Sequence, residues 1–134
     1  MRAEKIQKKA AGVGFDWTKI SDVYDKVYEE IDELKEAQGE EDFAHIEEEY
    51  GDLLFAVVNL GRFLKISPET ALARGCQKFI SRFEKMENDA IKAGKDLSCL
   101  SLDELDEYWN KAKENNYIFL FVITSLIKKP RKKF

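Results

Sequence analysis

Apolar residues recur with a helical period along most of this chain. From about Thr18 to Gln38 they fall at Ile20, Val23, Tyr24, Val27, Ile31 and Leu34. From about Asp42 to Lys65 they fall at Ile46, Tyr50, Leu53, Val57, Leu60 and Leu64. Each set follows the three-and-four spacing of an amphipathic helix with one buried stripe. A shorter helix is predicted over Ala3–Ala11, ended by Gly12, and Asp16 in the following loop is placed to cap the first long helix. Gly39 predicts that helix's end. Ser67-Pro68 reads as an N-cap followed by proline at the first helical position. It opens a third long helix to about Ala93, with Leu72, Phe79, Phe83 and Met86 inward and Gly94 as its stop. Ser101 and Glu104 have capping-box spacing, and the helix they begin carries Leu105, Tyr108, Trp109 and Ala112. The expected fold is all-α, most simply a helical bundle.

The pattern breaks at the C-terminal end. Residues 116–134 combine an apolar stretch, Ile118 to Ile127, with a basic run. This segment is compatible with a docking strand, a short helix or a poorly ordered end. Its apolar part is about half the length of a membrane span, so membrane anchoring is disfavoured.

Composition sharpens this picture. A chain of 134 residues fits one domain, and 36% charged with 44% hydrophobic residues marks a globular protein. Seven glycines and two prolines favour helices over a loop-rich all-β fold. The net charge of −4 includes +5 from Lys128, Lys129, Arg131, Lys132 and Lys133, so residues 1–127 carry −9. A body that acidic argues against nucleic-acid binding and suits cations. Cys76 and Cys99 form no zinc or redox motif, and no signal peptide is evident, which together predict a cytoplasmic protein.

The candidate chemistry lies in acidic pairs. Glu30 and Glu33 occur on the first long helix, and Glu49 and Asp52 on the second, each pair at i, i+3 and so on one helical face. At about 100° per residue, Glu30 borders its apolar stripe and Glu33 lies just beyond it, while Glu49 falls within its own stripe. Glu29, Asp32, Glu47 and Glu48 point away and read as solvated charges. A lone carboxylate on an apolar face costs several kcal/mol or stays protonated, and a divalent cation removes that cost. Oxygen-only ligation suits Mg²⁺, with Mn²⁺ as a substitute. A ferritin-like di-iron centre wants Glu-x-x-His motifs, and His45 is the chain's single histidine. His45 lies one turn before Glu49, where it either faces the acids or sits at the helix edge. Lys78 and Arg82, at i, i+4, suit phosphate binding or a salt bridge to a nearby acid. Trp109 reads first as core or interface and second as a base-stacking surface.

Taken in order, these residues resemble the MazG family of nucleoside triphosphate pyrophosphohydrolases. The likeness rests on Glu30…Glu33 followed by Glu49…Asp52. It extends to Gly14-Phe15-Asp16-Trp17, Lys26-Val27-Tyr28-Glu29-Glu30, Glu48 to Ala56, Val58-Asn59-Leu60, Lys78-Phe79 and Arg82-Phe83. It covers residues 1–115 and is nearest to the C-terminal MazG domain of bacterial two-domain members. The resemblance implies a dimeric all-α bundle that hydrolyses nucleoside triphosphates to monophosphate and pyrophosphate, a housecleaning of the nucleotide pool. It implies Mg²⁺ ligation by Glu30, Glu33, Glu49 and Asp52, with Glu30 or Glu33 orienting the attacking water. It also implies substrate handling by Lys78, Arg82, Trp109 and Asn59. The chain departs from the pattern at His45, where close relatives carry lysine, and in the segment 116–134. A weakly active helical module that keeps the fold and dimerises is the rival reading.

Overall fold

The computed structural model describes the backbone of residues 1–127 and the side chains of residues 1–114. Within them lie five α-helices: α1 (Arg2–Gly12), α2 (Ile20–Glu40), α3 (Phe43–Phe63), α4 (Pro68–Lys92) and α5 (Leu102–Ile127). A single 3₁₀ turn covers Leu97–Cys99. No strand occurs among the described residues, as the periodicity predicts. The chain divides into two compact units, Met1–Ala73 and a second from Arg74 onward.

In the first unit, α2 and α3 form a helical hairpin, and α1 lies against α3. Val23 and Ala37 share one buried face of α2 and are almost wholly out of solvent, and Ala56 is buried on the acid-bearing face of α3; Val58, about 200° round α3, is buried on another face. Alanines at such positions let two helix backbones approach closely, which brings short acidic side chains on facing helices within reach of one another. Gln7 of α1 is buried as well, and its Nε2 donates to the Phe55 carbonyl of α3 at 2.9 Å.

The ends of these helices follow local rules, with two corrections to the expected caps. α1 closes with a Schellman arrangement: Gly14 is left-handed at φ 86°, Phe15 N–H reaches Ala10 O at 3.1 Å, and Gly14 N–H reaches Ala11 O at 3.0 Å. Asp16 does not cap α2. That helix begins later, at Ile20, behind Lys19, which makes no side-chain cap; the Asp16 carboxylate is taken by Arg62 instead. Nor does Gly39 end α2. The helix runs through Glu40, and Glu41 adopts the left-handed conformation at φ 55°. Asp42 then caps α3, accepting from Ala44 N–H at 3.1 Å and His45 N–H at 3.4 Å. Ser67 Oγ accepts from Thr70 N–H at 3.3 Å, with Pro68 in the first position of α4.

In the second unit, α4 ends at a second Schellman arrangement around Gly94, whose φ is 71°. Ser101 and Glu104 form the expected reciprocal box: Glu104 N–H to Ser101 Oγ is 3.2 Å, and Ser101 N–H to Glu104 Oε1 is 3.4 Å. Met86, Ala90 and Ala112 are buried. Residues 116–127 continue α5, so that stretch is helical rather than a docking strand. The basic run from Lys128 lies outside the described residues.

Several residues expected inward are exposed. Tyr24, Tyr50, Leu72, Phe79 and Phe83 all remain largely open to solvent, as does Ile20. A helical wheel ranks faces by polarity but carries no information on whether a partner covers the apolar one. Among the described residues, no helix is long and apolar enough to cross a membrane.

Candidate metal centre

The hairpin brings three of the four predicted carboxylates together. One oxygen each from Glu30, Glu49 and Asp52 lies within 4.8 Å of the others. Glu30 is 4% exposed, Glu49 is half-buried and Asp52 is exposed, so the trio runs from the helix seam out to solvent. Oε2 of Glu30 and Oε2 of Glu49 are both buried with no hydrogen-bond partner among the described residues. Buried carboxylate oxygens without a partner carry a desolvation cost of several kcal/mol. Three carboxylates facing one another add repulsion, and a hard divalent cation bound by oxygen satisfies both terms. The residues present therefore fit a hard divalent cation.

Glu33 stands apart from the trio but beside it. Its carboxyl is pushed above the usual glutamate range, first by sharing a hydrogen bond with Glu30 and then by the negative charge of Glu30 and Glu49. Lys26, one turn before Glu30, places its Nζ 2.6 Å from Glu30 Oε1 and 3.1 Å from Glu29 Oε1. Those carboxylates hold the ammonium well above its ordinary range, so it stays charged at any working pH. His45 faces the acids rather than only lining an edge. Its Nδ1 is 2.9 Å from Glu40 Oε2, and its Nε2 is 3.2 Å from Glu49 Oε1. Both carboxylates raise its pKa, Glu40 more than Glu49.

A cavity of about 670 Å³ opens beside Glu30 and Asp52. Its wall is mostly apolar, with Ile6 and Ala10 from α1, Phe15 and Trp17 from the loop, and Phe55 and Ala56 from α3. Its polar groups are Gln7, Asp16, Lys26, Asn59 and Arg62 besides the acids. This is the size and make-up of a small-molecule site. Asn59 lines this cavity. The sequence alone assigns Lys26, Asp16 and Arg62 no role at a site. Lys26 has a readable signal, a lysine four residues before an inward glutamate. The Asp16–Arg62 contact spans 46 positions and has none.

Lys78, Arg82 and Trp109 belong to the second unit. There the Arg82 guanidinium carbon lies 5.7 Å from the centre of the Trp109 ring, and Phe79 packs on the same indole at 5.3 Å. Trp109 is half-buried, and Arg82 Nε is buried without a partner.

A family model described as the MazG nucleotide pyrophosphohydrolase domain matches residues 20–86, which hold all four acids. The chain belongs to the MazG family. It is 51% identical over 111 residues to the nucleoside triphosphate pyrophosphohydrolase/pyrophosphatase MazG of Thermotoga maritima, covering 83% of this chain and 42% of that protein. It is 47% identical over 115 residues to the nucleoside triphosphate pyrophosphohydrolase of Escherichia coli K12, covering 84% of this chain and 44% of the relative. The chain thus spans less than half the length of these curated relatives. The MazG match falls on α2, α3 and most of α4.

Proposed function

We propose that residues 1–115 form a Mg²⁺-dependent hydrolase that splits nucleoside triphosphates, ribo or deoxy, into monophosphate and pyrophosphate. The observation that carries this reading is the trio Glu30, Glu49 and Asp52 at the edge of a nucleoside-sized cavity. Its two buried, unpartnered carboxylate oxygens support a cation there. The names of the Thermotoga and Escherichia relatives support the reaction class.

The bound cation would neutralise phosphate charge and activate water for attack on phosphorus. Glu30, Glu49 and Asp52, with Glu33 beside them, would hold it, and Glu30 or Glu33 would orient the water. Lys26 pairs with Glu30 and offsets part of the negative charge around it. By the family resemblance Lys78, Arg82 and Trp109 of the second unit would handle substrate, and within that unit the Trp109 ring face braces Arg82. The aromatic and apolar wall of the cavity, with Phe15 and Trp17 at the loop, accepts the base and excludes water from it.

The working unit is a homodimer in the cytoplasm. On α3 the exposed residues Tyr50, Leu54 and Val57 form one stripe, and Tyr24 and Tyr28 form another on α2. A second copy is the simplest cover for so much apolar surface on a helical hairpin. Light scattering on the eluting peak tests this, and a monomeric mass would count against it.

The rival is a weakly active module, favoured by His45 engaging Glu49 where close relatives carry lysine. Pyrophosphate release from a panel of NTPs and dNTPs, in Mg²⁺ and in EDTA, separates the two, with Glu49→Ala as control. Release that needs Mg²⁺ and is lost in the control establishes the hydrolase. A folded, dimeric sample that releases none leaves the module.

A further inference from the structure

Arg62 makes no ion pair with the acids of the metal centre among the described residues; its hydrogen bonds go elsewhere. Its Nη1 donates to Asp16 Oδ2 at 2.9 Å, and its Nη2 donates to Asp16 Oδ1. The same Nη2 donates to Asn59 Oδ1 at 2.7 Å, and Nε donates to that oxygen at 3.2 Å. A guanidinium has five N–H groups, so this leaves a single Nη1 hydrogen uncommitted. Behind it, the Phe63 ring lies 4.9 Å from the guanidinium carbon. Arg62 is 15% exposed at its side chain. A cation this fully engaged is a strut, with little left to offer a ligand.

Two consequences follow for the cavity. Guanidinium can only donate, so the Asn59 amide must turn its oxygen toward Arg62. That leaves both Nδ2 hydrogens free for a molecule in the cavity Asn59 lines. Asp16, in turn, accepts from Trp17 N–H at 2.9 Å and so ties the loop backbone to the same strut. Phe15 and Trp17 flank Asp16 and are 81% and 41% exposed, so packing alone does little to hold them against the cavity. Asn59 lies two helical turns beyond Asp52 on the same face of α3, about 10.5 Å along the axis. Asn59 therefore lines the cavity beyond the acids, on the side away from Glu49.

We infer that Asp16–Arg62–Asn59 is a positioning relay that presents the Asn59 amide hydrogens and the Phe15–Trp17 wall to the nucleoside part of the substrate. The ligand class is a nucleoside triphosphate whose base or sugar offers an oxygen or ring-nitrogen acceptor. The inference rests on the nucleotide reading of this site. Arg62 and Asp16 act through Asn59 and the loop, without touching the reacting phosphates.

The test is the affinity of the full chain for the non-hydrolysable α,β-methylene analogues of ATP, GTP, CTP and UTP, with Mg²⁺, by calorimetry. Arg62→Met and Arg62→Lys are each compared with wild type; lysine keeps the charge and loses the fork. Both should weaken binding by about fivefold or more, the scale of one neutral hydrogen bond from the Asn59 amide. Asp16→Asn combined with Arg62→Met should bind no worse than Arg62→Met alone, because the two act through one relay. In a Trp109→Phe background, used only for spectroscopy, Trp17 emission should shift red in Arg62→Met. Melting curves check folding separately. Variants that melt lower but bind every analogue as wild type does would overturn the relay. Wild type that binds none of the four would overturn both the relay and the nucleotide reading. Binding weakened in the variants, with no pyrophosphate release from wild type, would keep the relay and remove the hydrolase.

Discussion

Lys26 and Glu30 are locked together across one turn of α2, with 2.6 Å between Nζ and Oε1. The carboxylate is 4% exposed as a residue, while the ammonium stem remains partly open at 35%. The lysine therefore holds a charge in place that would otherwise be poorly solvated. Replacing it by methionine should lower the melting temperature in EDTA, by the equivalent of about 1–3 kcal/mol once solvent screening is allowed for. Mg²⁺ should then stabilise Lys26→Met by more than it stabilises wild type, because Glu30 has lost its competing cation. Melts with and without Mg²⁺ check this, and equal Mg²⁺ shifts in both proteins would count against cation binding at Glu30.

The four predicted acids are not equivalent in the structure. Glu30, Glu49 and Asp52 form the compact trio, and Glu33 lies outside it, beside Glu30. Glu33→Gln should therefore cost about tenfold in Mn²⁺ affinity, the scale of an outer group, while Glu49→Gln should cost about a hundredfold or more. Electron paramagnetic resonance of free Mn²⁺ measures both. Equal losses would place Glu33 among the direct ligands.

The hairpin's turn depends on Asp42, whose carboxylate accepts from Ala44 and His45 N–H groups at the start of α3. Asp42→Ala should destabilise the protein by about 1 kcal/mol, or roughly 3 °C in melting temperature. Asp42→Asn keeps the acceptor and should stay close to wild type. If both variants melt alike, capping is not what Asp42 contributes.

What the sequence made legible is what depends on near neighbours. The Ser101–Glu104 box, the Ser67-Pro68 start and the stop at Gly94 are three- or four-residue devices, and each appears as its spacing predicts. The acidic pairs could be assigned to faces for the same reason, since i, i+3 geometry is local. Asp16 shows where this fails. Its position before a helix is a capping signal, but Arg62, 46 residues away, offers a stronger partner and takes the carboxylate. Gly39 lost to Glu41 because the two-residue link to α3 sets where α2 must stop. Tyr50 and Phe79 were expected inward because they are apolar; whether an apolar face is covered depends on tertiary and quaternary packing that no short window contains.

The Asp16–Arg62 pair also makes a prediction about acid. Arg62 holds the Asp16 carboxyl below its ordinary value of 3.8, chiefly by direct hydrogen bonding, with the Trp17 N–H adding to it. A carboxyl whose pKa is depressed by folding stabilises the folded state above its unfolded pKa. That contribution is lost as the pH falls through the folded value. Asp16→Asn should therefore be less stable than wild type by a constant amount between about pH 5 and pH 8, on the order of 1 kcal/mol for a partly exposed bidentate pair. Below 3.8 the gap should narrow and then close, as wild-type Asp16 takes up its proton. Arg62 stays charged throughout, so the arginine adds no step in this range. Glu69 and Asp96, whose pKa values are also lowered, titrate in both proteins and cancel from the difference. Urea unfolding of the two proteins at a series of pH values measures the gap directly. A difference that persists unchanged at pH 3 would mean that the pair contributes through packing and shape, with its charge of no consequence.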